Sequence, residues 1–481
     1  MNPVVFLLIP AITAVAVLLF GRQHRVAETI SLLGASTLAA SVATGVRGLL
    51  AGEVYEHEIV RLGEGVSIGL RLDALGAVYA LVASFLWVIN TLYSIGYLGA
   101  KGHRAHRRFH ACFAFSLTGA MGIALSTDLI GFFVFYEVLT LVTYPLVTHE
   151  ESDTARAGGK VYLSWLLGSS LTLLFLAVTW TWSLAGTTAF TPGGLFERAP
   201  NKTTLALLLL LFAYGLGKAA LMPLHRWLPA AMVAPTPVSA LLHAVAVVKA
   251  GVFGLLRVGL DVLGLDHLAS TGASQWLVYA AGISVLLAST IACFQDDLKR
   301  RLAYSTIAQL AYITLGVAVA TSSSAAGALL QVPAHAVSKI TLFFAVGAIQ
   351  VAAHQKKLSE IGGIGRVMPW TMGAFTLASL SLIGLPPTVG FLAKWRLLAG
   401  AGQAEAWFPL VVLVISTVLA AGYLLPVVHA AFFGESKTPR EHGEAPWPMV
   451  VALVTTAVAS LLLFFRFEPF LTVLKMLGLE S

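Results

Sequence analysis

Residues 131–146 read GFFVFYEVLTLVTYPL, and Glu137 is the one carboxylate in that stretch. A core helix of a soluble protein would place such a residue at its surface, but the composition around this stretch leaves little surface to place it on. Of the 481 residues, 58% are hydrophobic and only 11% are charged, against roughly 25% charged in an ordinary soluble domain. A soluble chain of this length needs more charge than that to cover its exterior. The reading is therefore an integral membrane protein. Its spans must satisfy their own backbone, as helices or as a closed barrel. The apolar runs are long and lack period-two alternation, which selects helices and an all-α fold.

The net charge of +7 comes without a basic patch interleaved with aromatics, so it does not point to nucleic acid. The cations fall in short loops between apolar runs, where they report orientation. Cys112 and Cys293 lie inside apolar runs and read as small hydrophobes rather than as a disulfide or metal framework. Residues 1–20 lack a basic leader and a clear cleavage site, and are expected to remain as a first helix.

A span needs about 20 apolar residues. Fourteen segments qualify: 3–20, 29–50, 73–99, 110–126, 129–148, 159–185, 204–233, 237–261, 276–294, 302–320, 325–353, 369–401, 406–433 and 446–465. The seventh and twelfth are unusually long and are interrupted, one by Pro223 and Pro229, the other by Pro386 and Pro387. Each is expected to be two half-helices around an irregular break, which is tolerated only where the freed backbone is buried in protein or lines a wet cavity.

Placing the N-terminus outside assigns sixteen Lys and Arg residues to inner loops: Arg22, Arg25, Lys101, Arg104, Arg107, Arg108, Arg156, Lys160, Lys299, Arg300, Arg301, Lys356, Lys357, Arg366, Lys437 and Arg440. The outer segments then hold seven: Arg47, Arg61, Arg71, Arg198, Lys202, Arg466 and Lys475. This asymmetry predicts both termini outside. The first outer loop, 53–73, partly alternates around Gly63-Glu64-Gly65 and predicts a surface hairpin. No loop is long enough to fold by itself, so function resides within the bilayer. The expected divisions are 1–103 (three spans and the hairpin), 104–265 and 266–433 (five spans each), and 434–481 (the last span and the C-terminal segment).

Glu137 begins about eight residues, or ~12 Å, into its helix, too deep for a carboxylate to reach the headgroups. A charge at that depth costs roughly 2.5–3.5 kcal/mol on insertion scales. A protonated Glu137 that merely joins two helices is one reading. A charged Glu137 with a partner is the other, and Lys218 is the candidate partner. It lies in LLFAYGLGKAALMPLHRWLP (210–229), just before the proline break, with Gly215 and Gly217 allowing close approach of a neighbouring helix. A contact at ~4 Å in an effective dielectric of ~20 is worth about 4 kcal/mol, so making and breaking it would govern whether Lys218 keeps its proton.

Further basic residues follow in apolar surroundings. His243 and Lys249 lie in PTPVSALLHAVAVVKAGVFG (235–254). Six residues apart, they turn ~240° on a regular helix and share a face only if the helix is distorted. His335 and Lys339, in VPAHAVSKITLFFAVG (332–347), are spaced i, i+4 and share one face. Lys394 follows the second proline break in LIGLPPTVGFLAKWRL (382–397). Two interrupted spans in corresponding positions of two halves are a transporter signature. Spans four to eight and nine to thirteen form two five-helix units, and an odd number per unit inverts one copy against the other. A file of carboxylate, lysines and histidines is proton-relay chemistry. There is no metal-ligand set, nucleophile–base pair, Walker loop or GxGxxG fingerprint. No cofactor is therefore expected, and the energy source is an ion gradient or a partner protein.

At these residues the chain resembles the antiporter-like membrane subunits shared by Mrp-type cation/proton antiporters, respiratory complex I and membrane-bound hydrogenases. The resemblance rests on FFVFYEVLTLVTYPLV (132–147), GLGKAALMPLHRWLPAAMVAPTPVSALLHAVAVVKAGVF (215–253) and PAHAVSKITLFF (333–344). It implies fourteen helices with two inverted five-helix repeats, and functional residues at the positions of Glu137, Lys218, Lys249 and Lys394. Lysine rather than glutamate at 394 is similar to the D subunit of Mrp antiporters and to some complex I subunits, and the chain length is similar to that D subunit. The resemblance also implies a hetero-oligomer in the cell inner (plasma) membrane, moving protons against Na⁺ or K⁺. A redox-driven complex using the same module is the alternative, and a passive scaffold that retains the charges is a third reading.

Overall fold

The computed structural model describes residues 2–63, 65–102, 105–435 and 443–480. Glu64 at the tip of the expected hairpin, and Arg104, Lys437 and Arg440 of the inner-loop charges, lie outside the described residues. Among those described, eleven helices are long and apolar enough to cross a membrane, and three shorter apolar helices accompany them.

In chain order the spans are α1 (Val4–Phe20), α2 (His24–Leu50), α3 (Ala74–Ala100), α4 (His106–Leu125), α5 (Leu129–Val147), α6 (Asp153–Ala185) and α7 (Lys202–Gly215). They continue with α8 (Thr236–Val262), α9 (Gln275–Cys293), α10 (Leu298–Val319) and α11 (Ser322–Ala352). Then come α12 (Pro369–Ile383, resuming as Val389–Gln403), α13 (Trp407–Phe433) and α14 (Trp447–Phe465). All fourteen expected segments are helical. Helices α2 and α6 start several residues earlier than their apolar runs, because hydropathy marks the buried stretch and not the polar first turn. Ser152 shows this directly: its side chain accepts from the Ala155 N–H and starts α6 ahead of the apolar residues.

The caps place other helices. Asp128 accepts from the N–H groups of Ile130 and Gly131 and starts α5, which sets the depth of Glu137. Thr321 and Ser324 form a reciprocal capping box at the head of α11. Both proline interruptions are real breaks. After Gly215 the chain passes through a single 3₁₀ turn, Gly217–Ala219, and a left-handed Ala220 before helix resumes at Trp227–Ala230. In α12 the break is 384–388.

The loop 53–73 forms the expected hairpin, β1 (Glu56–Gly63) against antiparallel β2 (Val66–Arg71), with Glu56 opposite Arg71. It bridges to Ser126 and, through the Gly65 carbonyl, accepts from the Thr188 N–H, so the outer loops are knitted together. On the opposite side Asp297 pairs with Lys357. One contiguous core runs through the helices. Nearly all of α8 and α11 is buried, whereas much of α13 and α14 faces outward. Helix α11 packs against α3, α8, α10, α14 and both halves of α12. The two helices that lie deepest are therefore the ones carrying His243, Lys249, His335 and Lys339.

Candidate functional site

Lys218 is fully buried at the break that follows α7. Its backbone N–H donates to the Tyr136 hydroxyl at 3.0 Å, and its Nζ donates to the Tyr136 carbonyl at 2.8 Å. The ammonium also lies over the Tyr136 ring, 3.1 Å from its centroid. The neighbouring Gly217 carbonyl accepts from Trp227 Nε1 at 3.0 Å. The break thus exposes backbone polar groups and satisfies them with Tyr136 and Trp227, as an interrupted helix in a membrane must.

Glu137, the next residue along α5, does not form the expected ion pair with Lys218. Among the described residues no carboxylate–ammonium contact joins them, and both Glu137 oxygens are sheltered without a protein hydrogen bond. They remain electrostatic neighbours, with Ser170 beside them. The reason is local: the ammonium is already held by the carbonyl and ring of Tyr136, one residue short of the carboxylate. Ser170 begins a π-helical turn, Ser170–Leu174, in α6. Gly215 and Gly217 pack directly against that region, Gly215 on the backbone of Leu174 and Gly217 on Ser169, so the close approach expected of these glycines is present.

Lys394 repeats the arrangement in the second half. Its Nζ reaches back across the break of α12 and donates to the carbonyl of Ile383 at 2.8 Å and to Thr417 Oγ1 of α13 at 3.2 Å. It lies over the ring of Tyr312 on α10, 5.1 Å from the centroid. A lysine at a broken helix, a backbone carbonyl acceptor and a tyrosine ring recur on α5/α7 and α10/α12. The two lysine settings are thus alike in kind.

Between them lies a cluster with no exposure at all. Lys249 Nζ is 2.8 Å from His335 Nδ1, joining α8 to α11. Lys339 Nζ donates to Ser305 Oγ of α10 at 2.7 Å, and Ser305 donates onward to the Tyr423 hydroxyl of α13 at 3.0 Å. His243 Nδ1 is 3.0 Å from the hydroxyl of Thr306, the residue after Ser305. The Nε2 atoms of both His243 and His335 have no protein hydrogen bond among the described residues, which leaves each ring one nitrogen available to exchange a proton. His243 sits in a π-helical turn, Leu241–Val245, that ends at a distorted Ala246. The expected distortion between His243 and Lys249 is therefore there, and it turns the two toward different partners. His335 is in electrostatic range of Lys249, Lys339 and His243 together.

The break after α7 touches this cluster through backbone. A side chain at Gly251, two residues beyond Lys249, would occupy the space of Lys218 and Ala219 main-chain atoms. Helix α8 can lie against the break only because Gly251 has no Cβ. The seven expected residues therefore fall into three groups: Glu137 near Lys218, the four residues on α8 and α11, and Lys394.

Several participants do not stand out in the sequence. Tyr136, Tyr312, Ser305, Thr306 and Tyr423 supply the neutral partners, and nothing in an apolar run marks a tyrosine or serine as such. Lys299 and Arg301 count among the cations assigned to inner loops, yet both are buried. Lys299 Nζ donates to the Met232 and Ala234 carbonyls at 2.9 and 2.6 Å. Arg301 donates to the carbonyls of Gln295 and Tyr423 at 2.8 and 2.9 Å. Lys299 lines a polar cavity of about 940 Å³ on that side, together with Tyr97, Tyr304 and His354. Toward the outer side Arg257 is clamped bidentately by Asp73, at 2.6 and 2.9 Å, and by Asp261 at 2.8 Å. The spacing of Arg257 and Asp261, i and i+4 inside an apolar run, is the available signal for this cluster. Among the described residues no group of three or more His, Cys, Asp or Glu is arranged to hold a metal ion.

Comparison with known proteins identifies the family and the fold. Residues 126–420 match the family described as NADH:quinone oxidoreductase/Mrp antiporter, TM. The chain is 32% identical over 457 residues to NADH-quinone oxidoreductase subunit N of Desulforudis audaxviator, covering 93% of this chain and 89% of that protein. It is 31% identical to the A/B component of a probable K⁺/H⁺ antiporter of Rhizobium meliloti, covering 92% of this chain but only 45% of that longer protein. A chain of the Mrp complex from Dietzia superposes with a TM-score of 0.87 at 22% identity, over 99% of this chain and 96% of that one. That likeness establishes the fold. The chain is a multi-pass membrane protein of the NADH:quinone oxidoreductase/Mrp antiporter transmembrane family, whose members here are subunits of multisubunit membrane complexes.

Proposed function

We propose that this chain is the proton-conducting subunit of a multisubunit monovalent cation/proton antiporter, similar to the D subunit of Mrp systems. Glu137, Lys218, His243, Lys249, His335, Lys339 and Lys394 form its relay. The observation that carries the reading is the buried contact between Lys249 Nζ and His335 Nδ1 at 2.8 Å. Two positive charges at that distance, in an effective dielectric of ~20, repel by about 6 kcal/mol. The pair therefore holds one excess proton at a time, and that proton has two places to be. A proton shared between side chains of helices α8 and α11 moves as soon as a nearby charge changes, and Lys339 lies close enough to supply that change.

The rest of the reading follows. The exchanged ion is Na⁺ or K⁺, and no residue of this chain is assigned to bind it. The chain works in a hetero-oligomer in the cell inner (plasma) membrane with both termini outside. Residues 104–265 and 266–433 are the two inverted units, flanked by 1–103 and 434–481, and the matching settings of Lys218 and Lys394 support that division. Dye-quench measurement of cation-driven proton movement in everted vesicles bearing the assembled complex tests this. Loss of movement in Lys218→Met and Lys394→Met variants that still assemble is expected. Full activity in both would make the chain a scaffold.

A second reading keeps the relay and changes the engine. The near full-length match to a quinone oxidoreductase N subunit, 89% of that protein, supports a redox-driven pump. The proteins that copurify with the chain separate the two readings: small antiporter subunits favour the first, and hydrogenase or quinone-reductase subunits the second.

A further inference from the structure

An apolar groove of about 490 Å³ opens on the outside of the bundle between α2, α3, α14 and the C-terminal helix Glu468–Met476, and its floor is α11. Along α3 it runs from Ala77, one turn past the outer end of that helix, to Leu86. Nine residues of helix are ~14 Å, close to the thickness of one hydrocarbon leaflet, about half of ~30 Å. The lips are apolar and exposed: Leu81 is 36% exposed, Phe85 38% and Leu462 56%. In a membrane chain such a slot faces acyl chains.

The outer end of the groove carries one charge beside the apolar Pro469 and Phe470. Arg466, the residue that follows α14, lines it, and it is the one charged residue among the lining side chains. It is exposed and forms no ion pair or hydrogen bond through its side chain among the described residues. A slot one leaflet deep with an unpaired guanidinium at its headgroup end has the charge pattern of one lipid molecule. We propose that it binds an anionic phospholipid, with one acyl chain in the groove and the phosphate on Arg466.

The floor of the groove gives the site a consequence. Pro333 and Val337 of α11 face the acyl chain, while His335 and Lys339 point inward to Lys249 and Ser305. Two residues turn a helix by ~200°, so the lipid and the relay contact opposite faces of the same two turns. Pro333 also lacks an N–H, so the ladder of α11 is weakened at this level. A bound chain fills the back of that weakened turn and fixes the angle at which His335 meets Lys249.

The test is photo-crosslinking of the assembled complex in vesicles of phosphatidylcholine with about 30 mol% phosphatidylglycerol, an anionic surface. The probe is a phosphatidylglycerol bearing a diazirine midway along one chain, compared with the matching phosphatidylcholine probe. Labelling is expected on the peptides containing Pro333–Val337 and Ala459–Leu463, roughly fivefold stronger for the glycerol headgroup. Arg466→Gln, a surface change, should abolish that headgroup preference while leaving the peptides labelled. Ala459→Trp, which fills the groove, should remove labelling at both peptides. Equal labelling by the two probes in the unmodified chain would overturn the proposal. So would displacement of the label by a long-chain isoprenoid quinone, which would assign the groove to a different ligand.

Discussion

Replacing His335 by glutamine keeps a hydrogen-bonding group beside Lys249 and removes the group there that can take its proton. The structure sets the magnitude of each effect. Lys249 Nζ is fully buried and His335 Nδ1, at 2.8 Å, is its hydrogen-bond partner. His335→Leu leaves those N–H donors unsatisfied, a cost of about 1–3 kcal/mol, read as a lower denaturation midpoint of the detergent-solubilised complex. His335→Gln restores an acceptor and should recover most of that midpoint. Proton movement should behave differently. A positioned proton-transfer group contributes roughly 10²–10⁴-fold, so both variants should lose at least ~10²-fold in initial dye-quench rate per assembled complex. Stability separates the two substitutions, whereas transport does not. A glutamine variant transporting within about threefold of the unmodified complex would mean that His335 only holds Lys249 in place, and the relay argument would fail at its central contact.

Three further outcomes follow from the geometry. Glu137→Gln should preserve stability, since the carboxylate has no protein hydrogen bond to lose, but should slow proton movement by changing the charge beside Lys218; an unchanged rate would remove Glu137 from the relay. Gly251→Val should displace the break after α7 and cost on the order of 1–3 kcal/mol through overpacking against Lys218 and Ala219 main-chain atoms; an unaltered melting midpoint would show that the break yields freely. Arg257→Gln should cost up to about 3–5 kcal/mol by leaving the buried Asp261 and the half-buried Asp73 without their counter-charge. Adding Asp261→Asn should recover part of that loss, and absence of any recovery in the double variant would refute the ion-cluster explanation.

The spans, their breaks and the identity of the buried charges were legible in the sequence. Transfer into a bilayer is decided residue by residue along the chain, so a hydropathy run and a proline are visible without neighbours. Glu137, Lys218, His243, Lys249, His335, Lys339 and Lys394 stood out because each is costly where it lies. The hairpin at 53–73 was equally local, since alternation and Gly-rich turn chemistry are read over a few residues.

Partnership was decided elsewhere. Charge complementarity and the glycines flanking the break suggested Glu137 with Lys218, but the ammonium is taken by the Tyr136 carbonyl and ring. The contact that matters most joins Lys249 to a residue 86 positions away. Its existence depends on how α8 and α11 are rotated and how close they lie. That rotation is set by the π-helical turn at Leu241–Val245 and by packing along the whole bundle. Lys299 and Arg301 looked like loop cations and became buried donors because α10 starts inside the protein, under carbonyls of the segment before α8 and of α13. The sequence by itself determined which groups would be costly to bury, because that cost belongs to each residue alone. Only the tertiary structure decided which groups come within hydrogen-bond distance of one another, because that distance is a property of pairs of helices and not of either one.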